Sequence, residues 1–226
     1  LLGHENYSYK YEYTYGMKLG QIVDGIYEFG NFVSISSMDS YTREYKKEGY
    51  FGRLNYNYDD KYYGSFSYRR DGSSRFSKDN RWGNFYSFGA SWRISQEDFM
   101  KDITWVDNLK LRGSYGETGN DAILRDDEQD YYPSQPLYGL GVNNGTEAGL
   151  YYSTMANTNL KWETQVSSDI AIEFGLFGKL TGSLEYFRKA SRDLLFDVSQ
   201  PASTGVTSIV QNIGKVQNQG LEIDLN

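Results

Sequence analysis

Strict alternation of two chemistries along a chain confines it to strands with unlike faces, because successive side chains of a strand point to opposite sides. Near the start, Tyr7, Tyr9, Tyr11, Tyr13 and Tyr15 share one parity, while Ser8, Lys10, Glu12 and Thr14 hold the other. Tyr50, Leu54, Tyr56 and Tyr58 then oppose Arg53, Asn55 and Asn57, and Tyr62, Phe66 and Tyr68 oppose Ser65, Ser67 and Arg69. Tyr86, Phe88, Trp92 and Ile94 oppose Ser87, Ser91 and Arg93, and Leu109, Leu111 and Tyr115 oppose Lys110, Arg112 and Ser114. The longest run sets Trp162, Val166, Ile170, Ile172, Phe174 and Leu176 against Glu163, Gln165, Ser167, Asp169 and Glu173. Leu180, Leu184 and Tyr186 against Thr181, Ser183 and Glu185, then Leu221, Ile223 and Leu225 against Glu222, Asp224 and Asn226, bring the total to about eight strands.

A soluble sandwich alternates too, so the choice of fold rests on loop rhythm and on the kind of apolar residue. Short turns at 58–61 and 176–179, and a somewhat longer link after Ile94, alternate with long connections at 17–44, 71–83, 119–159 and 199–214. Membrane barrels show this asymmetry, whereas a loop of some forty residues is out of place in a compact soluble domain. Aromatics make up 17% of the chain, with 22 tyrosines crowding the strand ends, as interfacial girdles do. The expected fold is therefore all-β, an antiparallel transmembrane β-barrel segment with the aromatic parity in hydrocarbon and the polar parity facing water. Arg70 and Arg188 carry the hydrocarbon parity near long loops, where a charge costs little. Both chain ends fall inside strands, so a piece of a longer protein is expected.

A net charge of -7 argues against nucleic acid, which requires a cationic face. The arginine-rich stretch RRDGSSRFSKDNRWGNF, residues 69–85, lacks the glycine-rich run, lysine and helix of a phosphate cradle. It is expected to be an external hairpin whose arginines pair with Asp71, Asp79 or lipopolysaccharide phosphates. His4 is the sole histidine, with no catalytic or metal partner that the sequence nominates, and DDEQD at 126–130 lacks the ordered ligands of a calcium loop. No catalytic residue, cofactor or metal is expected. By parity Arg53, Arg112, Glu163, Asp169, Glu173 and Glu185 point into the lumen, where such residues contact cargo or pair with one another. Tyr131, Tyr132, Tyr138, Tyr151 and Tyr152 lie in the longest connection and are suited to stacking on sugars or to packing the loop.

Five ordered motifs carry a family resemblance: GYFGRLNYNYDDKYYGSFSYRRDGSSRF, RWGNFYSFGASWRIS, NLKLRGSYGETGN, NLKWE and QNIGKVQNQGLEIDL. From about residue 48 onward the chain resembles the barrel of SusC/RagA-like TonB-dependent outer-membrane transporters, with Tyr86 and Thr158 where that family often has proline. The resemblance implies a 22-stranded barrel filled by an N-terminal plug and energised by TonB, with a SusD-like lipoprotein lid and glycan or peptide oligomers as cargo. Residues 1–226 are then expected to supply about eight consecutive wall strands, without plug or TonB box, in the outer membrane of a Gram-negative bacterium.

Two competing functions are a self-contained eight-stranded barrel acting as adhesin or structural anchor, and an outer-membrane enzyme, which lone His4 makes the weakest. Pairing of the first strand with the last separates a closed small barrel from a segment of a larger one.

Overall fold

The computed structural model describes residues 1–125 and 128–226. Its strands are β1 (Leu2–Gln21), β2 (Phe32–Tyr58), β3 (Tyr62–Ser73), β4 (Trp82–Arg93), β5 (Val106–Asn120), β6 (Leu124–Arg125) and β7 (Glu128–Gln129). They continue with β8 (Leu137–Leu140), β9 (Leu150–Thr154), β10 (Glu163–Leu176), β11 (Leu180–Arg192), β12 (Leu195–Ser199), β13 (Ser208–Asn212) and β14 (Lys215–Leu225). Eight of them form one antiparallel sheet in the order β1-β2-β3-β4-β5-β10-β11-β14, and the rest pair as β6-β7, β8-β9 and β12-β13 within the long connections.

Each strand of the large sheet follows its neighbour in space, as an up-and-down wall requires. β1 does not pair with β14, so the sheet is open at both sides. No second large sheet covers it among the described residues, which removes the sandwich.

The short turns lie at one end. Asp59 and Asp60 both have positive φ (54° and 50°), as do Phe177 and Gly178 (58° and 61°), the type I′ geometry whose twist suits a tight hairpin. Phe177 tolerates this conformation stacked on Trp105, at 5.7 Å and 24°, while Gly178 N–H donates to Asp107 Oδ2 at 2.6 Å. The β4–β5 link contains 3-10 turns at Ile94–Gln96 and Asp98–Met100, in line with the longer turn read there.

At the other end the first long connection is corrected. Residues 17–44 are mostly strand, because β1 pairs with β2 from Leu2↔Gly52 to Gln21↔Phe32, leaving only residues 22–31 between them. The segment 32–44 has too few aromatics to read as a strand, but it takes its shape from the partner across the hairpin.

Register sorts the side chains into two faces. One carries rows such as Leu54–Phe66–Phe88–Tyr115 and Tyr58–Tyr62–Trp92–Leu111–Ile172–Leu184–Ile223. Most of its aliphatic members are bare, with Leu54 70% and Ile223 69% accessible, an arrangement that hydrocarbon stabilises and water does not. The opposite face carries Arg53–Ser67–Ser87 and Lys110–Glu173–Ser183.

β1 reverses the expected assignment. Tyr7, Tyr9, Tyr11, Tyr13 and Tyr15 lie opposite Lys47, Tyr45, Arg43, Tyr41 and Asp39, on the polar-face parity that continues to Arg53 and Asn55. Only Leu2 and His4 reach the level of Gly52 and Tyr50, so the tyrosines stand beyond the apolar band. Hydrocarbon does not select their face there, and the outward residues of that stretch, Ser8, Lys10, Glu12 and Thr14, suit water.

The buried core sits among the long connections. Phe76, Phe85, Ile123, Leu160, Trp162 and Val210 pack together with Leu195 against them. Trp162, read by parity as membrane-facing, is 6% exposed within this core and donates Nε1–H to Arg81 O at 2.9 Å. Its position before β10 begins takes it out of the strand's alternation.

Candidate functional site: the polar face of the wall

Two constellations occupy the polar face. In the first, the parity of β5, β10 and β11 sets Arg112, Ala171 and Glu185 in one row across the sheet. Ala171 is 1% exposed beneath the guanidinium, and its small side chain leaves Arg112 room to cross β10. Arg112 donates from Nη2 to Glu185 Oε2 (2.6 Å), from Nε to Glu173 Oε1 (2.8 Å) and from Nη1 to Asp169 Oδ1 (3.2 Å). Lys110 Nζ adds a bond to Glu173 Oε2 at 3.2 Å, and Ser114 Oγ–H donates to Asp169 Oδ2. One cation thus ties three carboxylates on two strands. Each pair is partly solvated and weak alone, so the network's value lies in fixing charge positions.

Four of the six expected luminal residues meet here: Arg112, Asp169, Glu173 and Glu185. Arg53 stays apart on β2, donating Nε–H to Asn55 Oδ1 at 3.2 Å, and Glu163 sits at the start of β10 beside Asn120.

The second constellation stands beyond the apolar band. Asp121, 4% exposed just after β5, accepts from Tyr45 OH and Ser73 Oγ, both at 2.6 Å, and from Lys47 Nζ at 2.9 Å. Arg75, 5% exposed, donates Nη1–H to Asp121 O at 2.8 Å and lies 4.3 Å from the Tyr45 ring centroid. Burial pushes the Asp121 carboxyl up, but the bonds from Ser73, Tyr45 and Lys47 outweigh it and hold the group below its ordinary value.

Of the expected pairings in the arginine-rich hairpin, Arg69 does bind Asp71 at 2.7 Å, and it also reaches Glu5 at 2.8 Å. Arg70 instead lies over Trp82 at 5.2 Å, and Arg75 turns inward to Asp121. The sequence missed Asp121 as a hub, since a lone acid in a loop carries no spacing that marks it.

From this hub a strip of tyrosine extends along β1 and β2. Tyr45 meets Tyr7 edge-on, Tyr9 stacks on Tyr131 at 5.9 Å, and Tyr13 stacks on Tyr41 at 4.8 Å. Tyr11 and Tyr15 present open rings, 39% and 41% accessible. Of the loop tyrosines, Tyr131 joins the strip and Tyr132 OH accepts from Glu44 N at 2.8 Å. Tyr138 and Tyr152 pack on each other, at 4.5 Å, in the separate β8–β9 hairpin that also carries Tyr151.

His4 stacks on Tyr50 at 4.6 Å and contacts Glu48 Oε1 at 3.2 Å, a surface arrangement at the rim of the apolar band. In the acidic run 126–130, Asp126 and Asp127 lie outside the described residues, and Asp130 Oδ1 accepts from Tyr132 N at 2.9 Å.

Comparison with known proteins agrees with this geometry. The family model described as "TonB dependent receptor-like, beta-barrel" matches residues 2–226. The TonB-dependent receptor SusC of Bacteroides thetaiotaomicron is 38% identical over 222 residues, covering 93% of this chain and 21% of that protein. TonB-dependent receptor P26 of Formosa agariphila is 42% identical over 181 residues, 78% of this chain and 18% of its own length. Among solved structures, the RagAB peptide importer in its closed-closed state superposes with a TM-score of 0.85 at 30% identity, covering 99% of this chain and 24% of that one. The chain thus spans about a fifth to a quarter of the length of these relatives. It belongs to the TonB-dependent receptor-like β-barrel family, in its SusC/RagA-like branch, whose barrels stand in the outer membrane of Gram-negative bacteria.

Proposed function

We propose that residues 1–226 are part of the barrel wall of an outer-membrane nutrient importer, driven by TonB through a plug belonging to the remainder of the protein and capped by a SusD-like lipoprotein. The observation that carries this reading is the open sheet: β1 and β14 leave unpaired edges, which a bilayer does not tolerate, so further strands complete a wider barrel. A closed eight-stranded anchor would pair those two strands, and its interior would be filled by side chains. Here the polar face instead carries spread, partly solvated charges suited to a water-filled lumen.

The cargo we favour is an oligosaccharide, and its contact surface is the tyrosine strip. Rings with hydroxyl tips offer a sugar both an apolar face and a hydrogen-bond partner. A peptide cargo is the second reading, favoured by the likeness to RagAB, which is described as a peptide importer. Arg70 and Arg188, on the membrane-facing parity at the loop side, suit lipopolysaccharide phosphates.

The test uses the full-length transporter with Tyr11→Ala and Tyr15→Ala together, titrated calorimetrically with neutral oligosaccharides and with peptides. Two rings at about 0.5–1.5 kcal/mol each predict oligosaccharide affinity reduced about 5- to 150-fold. Unchanged affinity for sugars refutes the strip as their contact, and a loss confined to peptides selects the second reading.

A further inference from the structure

The membrane-facing side carries a hollow with fixed walls. Register aligns Gly64, Ala90 and Gly113 in one row across β3, β4 and β5. On the loop side of this row Phe88 stacks on Tyr115, at 5.1 Å and 17°; on the turn side Tyr62 stacks on Trp92, at 6.3 Å and 11°. Each stacked pair bridges two strands, so the walls stand as braced ribs. Between them, over Ala90 and Gly113, lies a trough of about 580 Å³ that Leu111 and Ile170 also line.

Depth identifies what fills it. Gly64 is three residues past Lys61 in the short turn, which at about 3.3 Å per residue on a tilted strand puts the trough within about 10 Å of the turn end. Short turns mark the periplasmic side of such barrels, so the trough opens into the periplasmic leaflet, which is built of glycerophospholipid rather than lipid A. Its lower lip is polar and carries both signs of charge. Glu97 Oε1 accepts from Tyr62 OH at 2.5 Å and Trp92 Nε1 at 2.9 Å, Lys61 Nζ lies 3.6 Å from Glu97 Oε2, and Lys101 pairs with Asp98 at 2.7 Å.

We propose that this trough is a specific seat for one acyl chain of a periplasmic-leaflet glycerophospholipid, whose zwitterionic headgroup rests against the Lys61–Glu97–Trp92 lip. Both halves of the occupant are thus matched: an apolar slot for the chain, and a cation beside a carboxylate for phosphate and ammonium. A chain there completes the packing that Ala90 and Gly113 leave undone, and removing it exposes a void beside backbone.

The full-length protein, reconstituted in phosphatidylethanolamine vesicles with a trace of phosphatidylethanolamine bearing an acyl-chain diazirine, is irradiated and its adducts are mapped by peptide mass spectrometry. Adducts are expected to concentrate at Phe88, Tyr115 and Ile170 over the control positions Leu184 and Ile223, which are accessible on the same face outside the trough. Ala90 lines the trough and is exposed there, so Ala90→Leu occupies the space that the acyl chain would take. Each methylene excluded lowers occupancy about fourfold, and loss of two predicts trough adducts reduced about fifteenfold, with the controls unchanged. Ala90→Val gives a smaller loss in the same direction and covers the case in which the leucine variant does not assemble, judged by heat-modified gel mobility. Adducts spread evenly over the outward face, unaffected by either substitution, overturn the proposal, as does preference for a lipid A probe or adducts replaced by links to a second copy. None of these readouts involves cargo, so this result stands or falls apart from the import reading.

Discussion

Replacing Asp121 with alanine removes the acceptor shared by Tyr45 OH, Ser73 Oγ and Lys47 Nζ. Ser73 is 0% exposed and Tyr45 9%, so their donors have little access to water. A buried donor left unsatisfied costs about 1–3 kcal/mol, and two of them predict a loss of about 2–6 kcal/mol in the closure of this region. Lys47 adds little, because its side chain is 40% exposed and recovers hydration. The damage is local: the hub joins β2, the end of β3 and the start of the β5–β10 connection, beyond the apolar band that holds the wall in the membrane.

Hydrogen exchange on the full-length protein reads this directly. Amides of residues 72–76 and 128–135 are expected to exchange at least about thirtyfold faster, the equivalent of 2 kcal/mol, while those of β10 and β11 keep their rates. Rates within threefold of the unaltered protein at 72–76 refute the hub. Acid titration gives the same group a second readout. The folded pKa of Asp121 is depressed, so its stabilisation is complete above the unfolded value of about 3.9 and is lost as pH falls through the folded value. The unaltered protein should therefore hold its mouth closed at pH 5 and loosen it only below about pH 3.9, whereas Asp121→Asn should lose that acid step.

A bulkier residue at Ala171 should block the path of Arg112 to Glu185; Ala171→Leu is expected to lower thermal stability in detergent by about 1–3 kcal/mol as an overpacking change, and equal melting would contradict it. A Cβ at Gly119 would stand 2.0 Å from the Phe85 ring, so Gly119→Ala should open the core of the long connections and speed their proteolysis, with intact resistance as the contrary result. Leu54→Arg puts a charge in mid-band and should cost about 2–4 kcal/mol in reversible folding into vesicles, while Arg70→Leu near the loop rim should cost under about 1 kcal/mol; similar costs for both would disprove the depth assignment.

Alternation announced two faces on every wall strand, and the membrane decided which face went out on all but one. The outward tracks of β2 through β14 mix tyrosine with Leu54, Phe66, Phe88, Leu111, Ile170, Ile172, Leu184 and Ile223, side chains that water penalises and lipid accepts. The track of β1 from residue 7 to residue 15 is tyrosine throughout, with no aliphatic member, and every ring ends in a hydroxyl. Parity treats the two tracks alike; the absence of Leu, Ile and Val was the readable sign that this one faces water and neighbouring rings. The Arg112 network was half legible for a related reason. Parity placed Asp169, Glu173 and Glu185 on the lumen side, but their meeting at one guanidinium depends on strand register and on Ala171 being small, and both are set by pairing across the sheet. Asp121 and the trough lay further out of reach, because each joins residues from three or four strands or loops whose only common feature is a shared level along the barrel wall. Local chemistry therefore fixes which faces exist, and height in the membrane fixes what each stretch of a face is for.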